Sequence, residues 1–214
     1  MPYIAVLDYE HLDNGLFLNA FAKSLAQHEN PGIIIHSDSK YTERIIQTGV
    51  MRTDARIRAM KDLNHRLIAL FADHGVAAIG LNGYQKGMIR ISTDEGLQID
   101  SEQFRNLPPQ PAMVISALAE IENSNQPEPV PLAEFAGMLK SALQLDDIFV
   151  FSAKENSEVI KQDFPEKVSW DKSDSEFRNE QLPAEFRDSD LKLRLTTAGS
   201  FAKYPDLSES TYIF

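Results

Sequence analysis

The chain contains no cysteine. That absence excludes disulfides, thiolate metal sites and cysteine nucleophiles together. Histidine is sparse too: five are scattered along 214 residues, and His65 and His74 do not share a metal-ligand spacing, so no metal centre is expected. Basic residues are outnumbered, 21 against 32 acidic, for a formal net charge of -11. They are not clustered, so neither nucleic acid nor an anionic membrane surface is an expected partner. No apolar run reaches the length of a membrane span. The N-terminal MPYIAVLDYE has no basic region before its apolar run and no small-residue cleavage site after it; a cytoplasmic location is the expectation. Glycine is thinly spread, and none occurs between Gly137 and Gly199.

What is present is enough for a core. With 43% hydrophobic and 25% charged residues, the chain can bury an interior as one large domain or two small ones. Apolar runs and helical stripes alternate, the signature of an α/β architecture with a mainly parallel sheet. YIAVLDY reads as the first strand, and residues 16–28 as a helix with Phe17, Ala20, Phe21 and Leu25 on one face. GIIIHS does not alternate, which predicts a central strand buried on both faces. Residues 54–74 carry a stripe of Ile57, Met60, Leu63, Leu67, Leu70 and Phe71, closed by Gly75 at the C-cap position. VAAIGL is the next strand, and GMIRIS and LQID then flank Thr93–Gly96 as a projecting hairpin. PAMVISAL reads as one strand, residues 132–145 as a helix after a proline-rich loop, and DDIFVFS as a buried strand. Residues 152–190 are polar and predict irregular structure with one short helix, before LKLRLTT and STYIF close the chain as strands.

The stretch IIIHSDSKYTERI, residues 33–45, is a strand, a tight turn and a helix. Such turns commonly bind phosphate, because free N–H groups and the positive dipole end of the helix face the ligand. Here the turn carries Asp38 and no glycine. A carboxylate at this place serves as an N-cap and opposes phosphate. A plain cap and a lost phosphate site both fit these residues.

The order of parts resembles the amino acid kinase family, most of all acetylglutamate kinase. Gly49, Thr53, Asp54, Asn64, Gly80, Leu81 and Gly83 stand where that family has a glycine, a Thr-Asp pair, a mid-helix asparagine and a Gly-Leu-x-Gly turn before a hairpin. The segments VPLAEFAGMLKSALQLDDIFVFS and LKLRLTTAGSFAKYPDLSESTYI are similar to its later helix and strands. The resemblance implies a three-layer αβα sandwich, carbamate kinase-like, over residues 1–214. Residues 1–146 would be an amino-acid-substrate-type lobe and 147–214 a reduced nucleotide-type lobe. It also implies transfer of a phosphoryl group from Mg-ATP to a carboxylate.

Several residues depart from the family's pattern. Its lysine and two glycines after the first strand are replaced here by Leu7, Asp8, Tyr9 and Glu10, and its glycines after the second strand by Ser37, Asp38 and Ser39. Phosphoryl transfer depends on cations and backbone donors around the moving group, so these replacements remove what the reaction needs. The family's Asn-x-Asp positions are Pro131 and Ala133, and Glu134 is one step off, about 100° around a helix. The resemblance therefore points to a protein that has lost phosphotransfer, with no catalytic residue assigned, no cofactor and a small-molecule-binding or regulatory role. The expected ligand is a small amino-acid-like carboxylate near His36, Ser37, Ser39, Arg52, Asn82 and Gly83, with a homo-oligomer surface also open. Arg52, Arg56, Arg58 and Lys61 are either a carboxylate grip or a solvated helix face. The alternative is a divergent ATP-dependent kinase acting on the carboxylate of N-acetylglutamate or aspartate, with Lys154 or Lys161 on the nucleotide.

Overall fold

The computed structural model describes residues 3–28, 32–107, 111–154 and 165–214. Its twelve strands are β1 (Tyr3–Leu7), β2 (Ile33–His36), β3 (Ala78–Asn82), β4 (Ile89–Ser92), β5 (Gly96–Ile99), β6 (Ala112–Ser116), β7 (Leu118–Ile121), β8 (Glu128–Pro129), β9 (Asp147–Phe151), β10 (Lys167–Val168), β11 (Leu193–Thr196) and β12 (Thr211–Ile213). Seven helices accompany them: α1 (Gly15–Leu25), α2 (Tyr41–Ile46), α3 (Arg52–Asp73), α4 (Ser101–Arg105), α5 (Leu132–Leu143), α6 (Ser175–Gln181) and α7 (Ala198–Phe201).

Eight strands form one sheet in the order β10-β12-β11-β9-β1-β2-β6-β3, and every pairing in it except β11 with β12 is parallel. The unbroken apolar runs explain its centre. All residues of β1, β2 and β6 are buried, and because side chains alternate between faces, each strand feeds two cores. Ile4, Val6, Ile33, Ile35, Met113 and Ile115 join Phe135 and Leu139 of α5 on one side. Tyr3, Ala5, Leu7, Ile34 and Val114 join Phe17, Phe21, Leu67 and Phe71 of α1 and α3 on the other. The layers are thus helix, sheet and helix. A second sheet, ordered β5-β4-β7-β8, contributes Ile89, Leu97 and Leu118 to the α5 side.

The α3 stripe is buried at Ile57, Met60, Leu63, Leu67 and Phe71, with Asn64 among them and Leu70 only partly covered. Its end is a Schellman turn: Val76 N–H donates to Phe71 O, Gly75 N–H to Ala72 O, and Gly75 has φ +77. The turn holds Val76, so β3 starts at Ala78 rather than 76, and it forms the sheet's edge, with β6 between it and β2. PAMVISAL is not one strand. It breaks at Ala117, where Ala117 N–H donates to His36 O, and the chain passes into the second sheet as β7.

The 152–190 segment holds α6 as its one α-helix among the described residues, plus β10 and single-turn 3-10 elements at Trp170 and Ala184. Lys161, named above, lies outside the described residues. No described helix is long and apolar enough to cross a membrane.

Candidate functional site

The carboxyl ends of β1, β2, β6 and β3 converge on one rim, the place where open parallel sheets position ligands. His36 pairs in register with Ser116, and Ser116 with Asn82. The Ser116 hydroxyl donates to Asn82 Oδ1 at 3.0 Å, and Asn82 N–H donates to Gln85 Oε1 at 2.9 Å. The rim is therefore a polar row. Asn64 reaches it from α3, its amide donating to Leu81 O at 2.8 Å. A Cβ on Gly80 would lie 2.2 Å from Asn64 Oδ1, and one on Gly83 would lie 2.4 Å from Leu118 O. Both glycines are needed for close approach, which accounts for Gly80 and Gly83 without any ligand.

His36 is fully buried, and burial pushes its pKa down to about 4, so the ring is neutral at pH 7. Its Nδ1–H donates to Ser37 O at 2.8 Å, and Nε2 has no hydrogen-bond partner among the described residues. Ser37 and Ser39 are buried as well. Ser39 Oγ accepts from Tyr41 N at 3.1 Å at the start of α2. The expectation that Asp38 caps this helix is corrected, because α2 begins at Tyr41 and Ser39, not Asp38, accepts its first N–H.

Asp38 instead faces a cation. Its Oδ1 lies 3.2 Å from Arg56 Nε, and Oδ2 accepts from the Thr42 hydroxyl at 3.1 Å. Asp8, at the end of β1, lies 2.5 Å from His11 Nδ1 and accepts His11 N–H at 3.0 Å, while His11 Nε2 is 3.1 Å from Ser152 O. Burial alone would raise the Asp8 pKa, but the His11 ring and the backbone N–H groups of His11 and Glu10 outweigh it and hold the carboxyl below its ordinary value.

A third carboxylate completes the cluster. Glu185 accepts the N–H of Leu132, the first residue of α5, at 2.6 Å. Burial around the carboxyl group pushes its pKa up, Arg56 lowers it, and Asp38 and Asp8 raise it. Lys40 is paired with Glu10 at 3.2 Å.

Of the six residues selected from sequence, His36, Ser37 and Ser39 sit together, and Asn82 and Gly83 sit two strands away. Arg52 joins neither group: its side chain is 72% exposed and pairs with Glu43 at 2.9 Å. The cation at the rim is Arg56, one helical turn further along α3, which the sequence offered within the same basic run. Glu185 gave no signal, since it lies in the segment read as irregular. The described residues contain no group of three or more histidines and carboxylates placed to hold a metal.

No family model matches the chain, and no curated protein matches it. Solved structures do. An isopentenyl phosphate kinase is similar with a TM-score of 0.64 at 9% identity, over 100% of this chain and 99% of that one. UMP kinase from Ureaplasma parvum gives 0.59 at 10%, over 100% and 98%. N-acetylglutamate synthase from Neisseria gonorrhoeae, complexed with coenzyme A and N-acetyl-glutamate, gives 0.66 at 12%, over 99% of this chain and 59% of that one. These structures share the amino acid kinase fold, and so does this chain.

Proposed function

We propose that this chain uses the amino acid kinase fold without its phosphotransfer chemistry, as a small-molecule-binding or regulatory protein. The observation that carries this reading is the trio Asp8, Asp38 and Glu185. They stand at the ends of β1 and β2 and at the start of α5, each engaged by a group of the chain itself: His11, Arg56 with Thr42, and Leu132 N–H. A transferring phosphoryl group needs free donors and cations there. His11, Arg56, the Thr42 hydroxyl and Leu132 N–H already hold carboxylates. A carboxylate about 6 Å from a phosphate opposes it by roughly 3 kcal/mol per unit charge at an effective dielectric near 20, before its own partner is counted.

Loss of transfer leaves the scaffold able to present a pocket or a surface. The ligand is a small amino-acid-like carboxylate, no cofactor is required, and the setting is cytoplasmic, with a homo-oligomer as the open assembly.

The second reading, a divergent kinase that uses Mg-ATP to phosphorylate the carboxylate of N-acetylglutamate or aspartate, draws on kinases being among the fold's relatives. Calorimetric titration with Mg-ATP, beside an ADP-release assay with N-acetylglutamate, aspartate and glutamate, separates the two. The expected result is neither ATP binding nor acceptor-dependent ADP. Submillimolar ATP affinity with acceptor-dependent ADP would establish the kinase reading instead.

A further inference from the structure

The sequence placed a ligand among His36, Arg52 and Asn82, but His36 is sealed and Arg52 points away. An open groove lies beyond the other end of that row. It has a volume of about 680 Å³, within the range of small-molecule sites. Leu81, Tyr84, Met88 and Leu107 line it together with Lys86 and Gln103.

Its charge is unusual for this molecule. The chain carries a net charge of -11, yet no carboxylate lines the groove and Lys86 does. Lys86 Nζ has no ion-pair partner among the described residues. A second ammonium, Lys61 Nζ, sits 4.8 Å from the centre of the Tyr84 ring. Asp100, close by, is occupied as the cap of α4, accepting from Glu102 N, Gln103 N and Gln103 Nε2. Gln103 Nε2 also reaches Lys86 O at 2.9 Å, and Lys86 has φ +56. A non-glycine residue in the left-handed region is strained and must be held by its surroundings, a condition common at ligand clamps.

The geometry points to this groove as a binding site for a small monoanionic carboxylate with an apolar body, such as an aryl or branched aliphatic chain. The body packs on Tyr84, Met88 and Leu107, and the carboxylate meets Lys86. A phosphate is disfavoured, because no glycine cradle is present and the N-terminus of α4 is already capped by Asp100. Another open groove, of about 710 Å³ along α5, is lined by Glu134 and no basic residue, so it does not share this chemistry.

This site rests on the small-molecule-binding reading and is tested apart from it. Phenylacetate, its neutral counterpart 2-phenylethanol and inorganic phosphate are titrated into the labelled protein while backbone amides are followed by NMR. Phenylacetate should shift the amides of residues 84–88 and 103–107 saturably, and 2-phenylethanol should bind roughly two- to fivefold more weakly, as loss of one exposed ion pair predicts. Lys86→Gln should weaken phenylacetate similarly and Lys86→Arg should retain it, with circular dichroism confirming that both fold. Equal affinity for the alcohol, no loss in Lys86→Gln, absence of shifts in these amides, or equal shifts with phosphate would each overturn the assignment. Mg-ATP reports on the Asp8, Asp38 and Glu185 rim instead, so either proposal can fail alone.

Discussion

Asp38 and Arg56 form an ion pair at 3.2 Å in which one partner is buried and the other is not: the Asp38 side chain is 12% exposed and that of Arg56 is 41%. Such a pair falls between surface bridges, which contribute little, and buried ones, whose breakage leaves an uncompensated charge. Arg56→Met should cost about 1–2 kcal/mol of unfolding free energy in urea titrations. Adding Asp38→Asn should restore much of it, because the stranded charge is then removed. Strict additivity of the two changes would mean that the residues are not coupled.

The buried histidines set an acid limb. His36 is held neutral, its pKa pushed from 6.5 to about 4 by burial, and burial also lowers His28 despite its bond to Phe201 O. Between those values the unfolded chain binds the extra proton, so stability is complete above about pH 6.5 and declines as pH falls toward 4. The His36 share is at most about 3 kcal/mol. Asp8, whose pKa is lowered, adds a further loss below its unfolded value as pH drops through its folded one. Denaturant titrations from pH 7.5 to 4.5 should show the decline, and His36→Gln should flatten it.

Leu67 is 2% exposed on the α3 face that meets the sheet. Leu67→Ala should cost about 2–5 kcal/mol, through lost burial and the cavity left behind. A loss below about 1 kcal/mol in chemical denaturation would contradict its place in the core.

Two helices end in the same motif with different residues. After α3 the left-handed position is Gly75, and after α5 it is Gln144 at φ +54, with Leu145 N–H donating to Lys140 O at 3.0 Å. Gln144→Gly should therefore raise stability by about 0.5–1 kcal/mol, seen as a higher melting temperature. Gly75→Gln should lower it by a similar amount.

Much of the frame was readable because it follows local rules. Apolar runs gave β1, β2 and β9, a 3.6-residue stripe gave α3, and Gly96 at φ +69 closes the β4–β5 hairpin where the turn was expected. PAMVISAL misled because its apolar run continues across Ala117 while the backbone changes sheets, and hydrophobicity carries no record of that turn. The rim was half legible. His36, Ser37 and Ser39 are near neighbours in sequence and stay together, whereas whether Arg52 or Arg56 of the same basic run faces the rim depends on the helix's rotation against the sheet.

The sequence by itself determined the composition limits, the alternation of strands and helices and the carboxylates Asp8, Glu10 and Asp38 at the turns after β1 and β2. Each of these depends on residues that are neighbours along the chain. Only the tertiary structure decided which groups meet across it. It brought Glu185 to the first N–H of α5, 53 residues away, set β6 between β2 and β3, and left Lys86 facing a groove without a carboxylate in its lining. Those relations come from the order in which strands assemble and the rotation of helices packed on them. A linear pattern of apolar and polar residues fixes which face is buried, but not which distant residue will stand opposite.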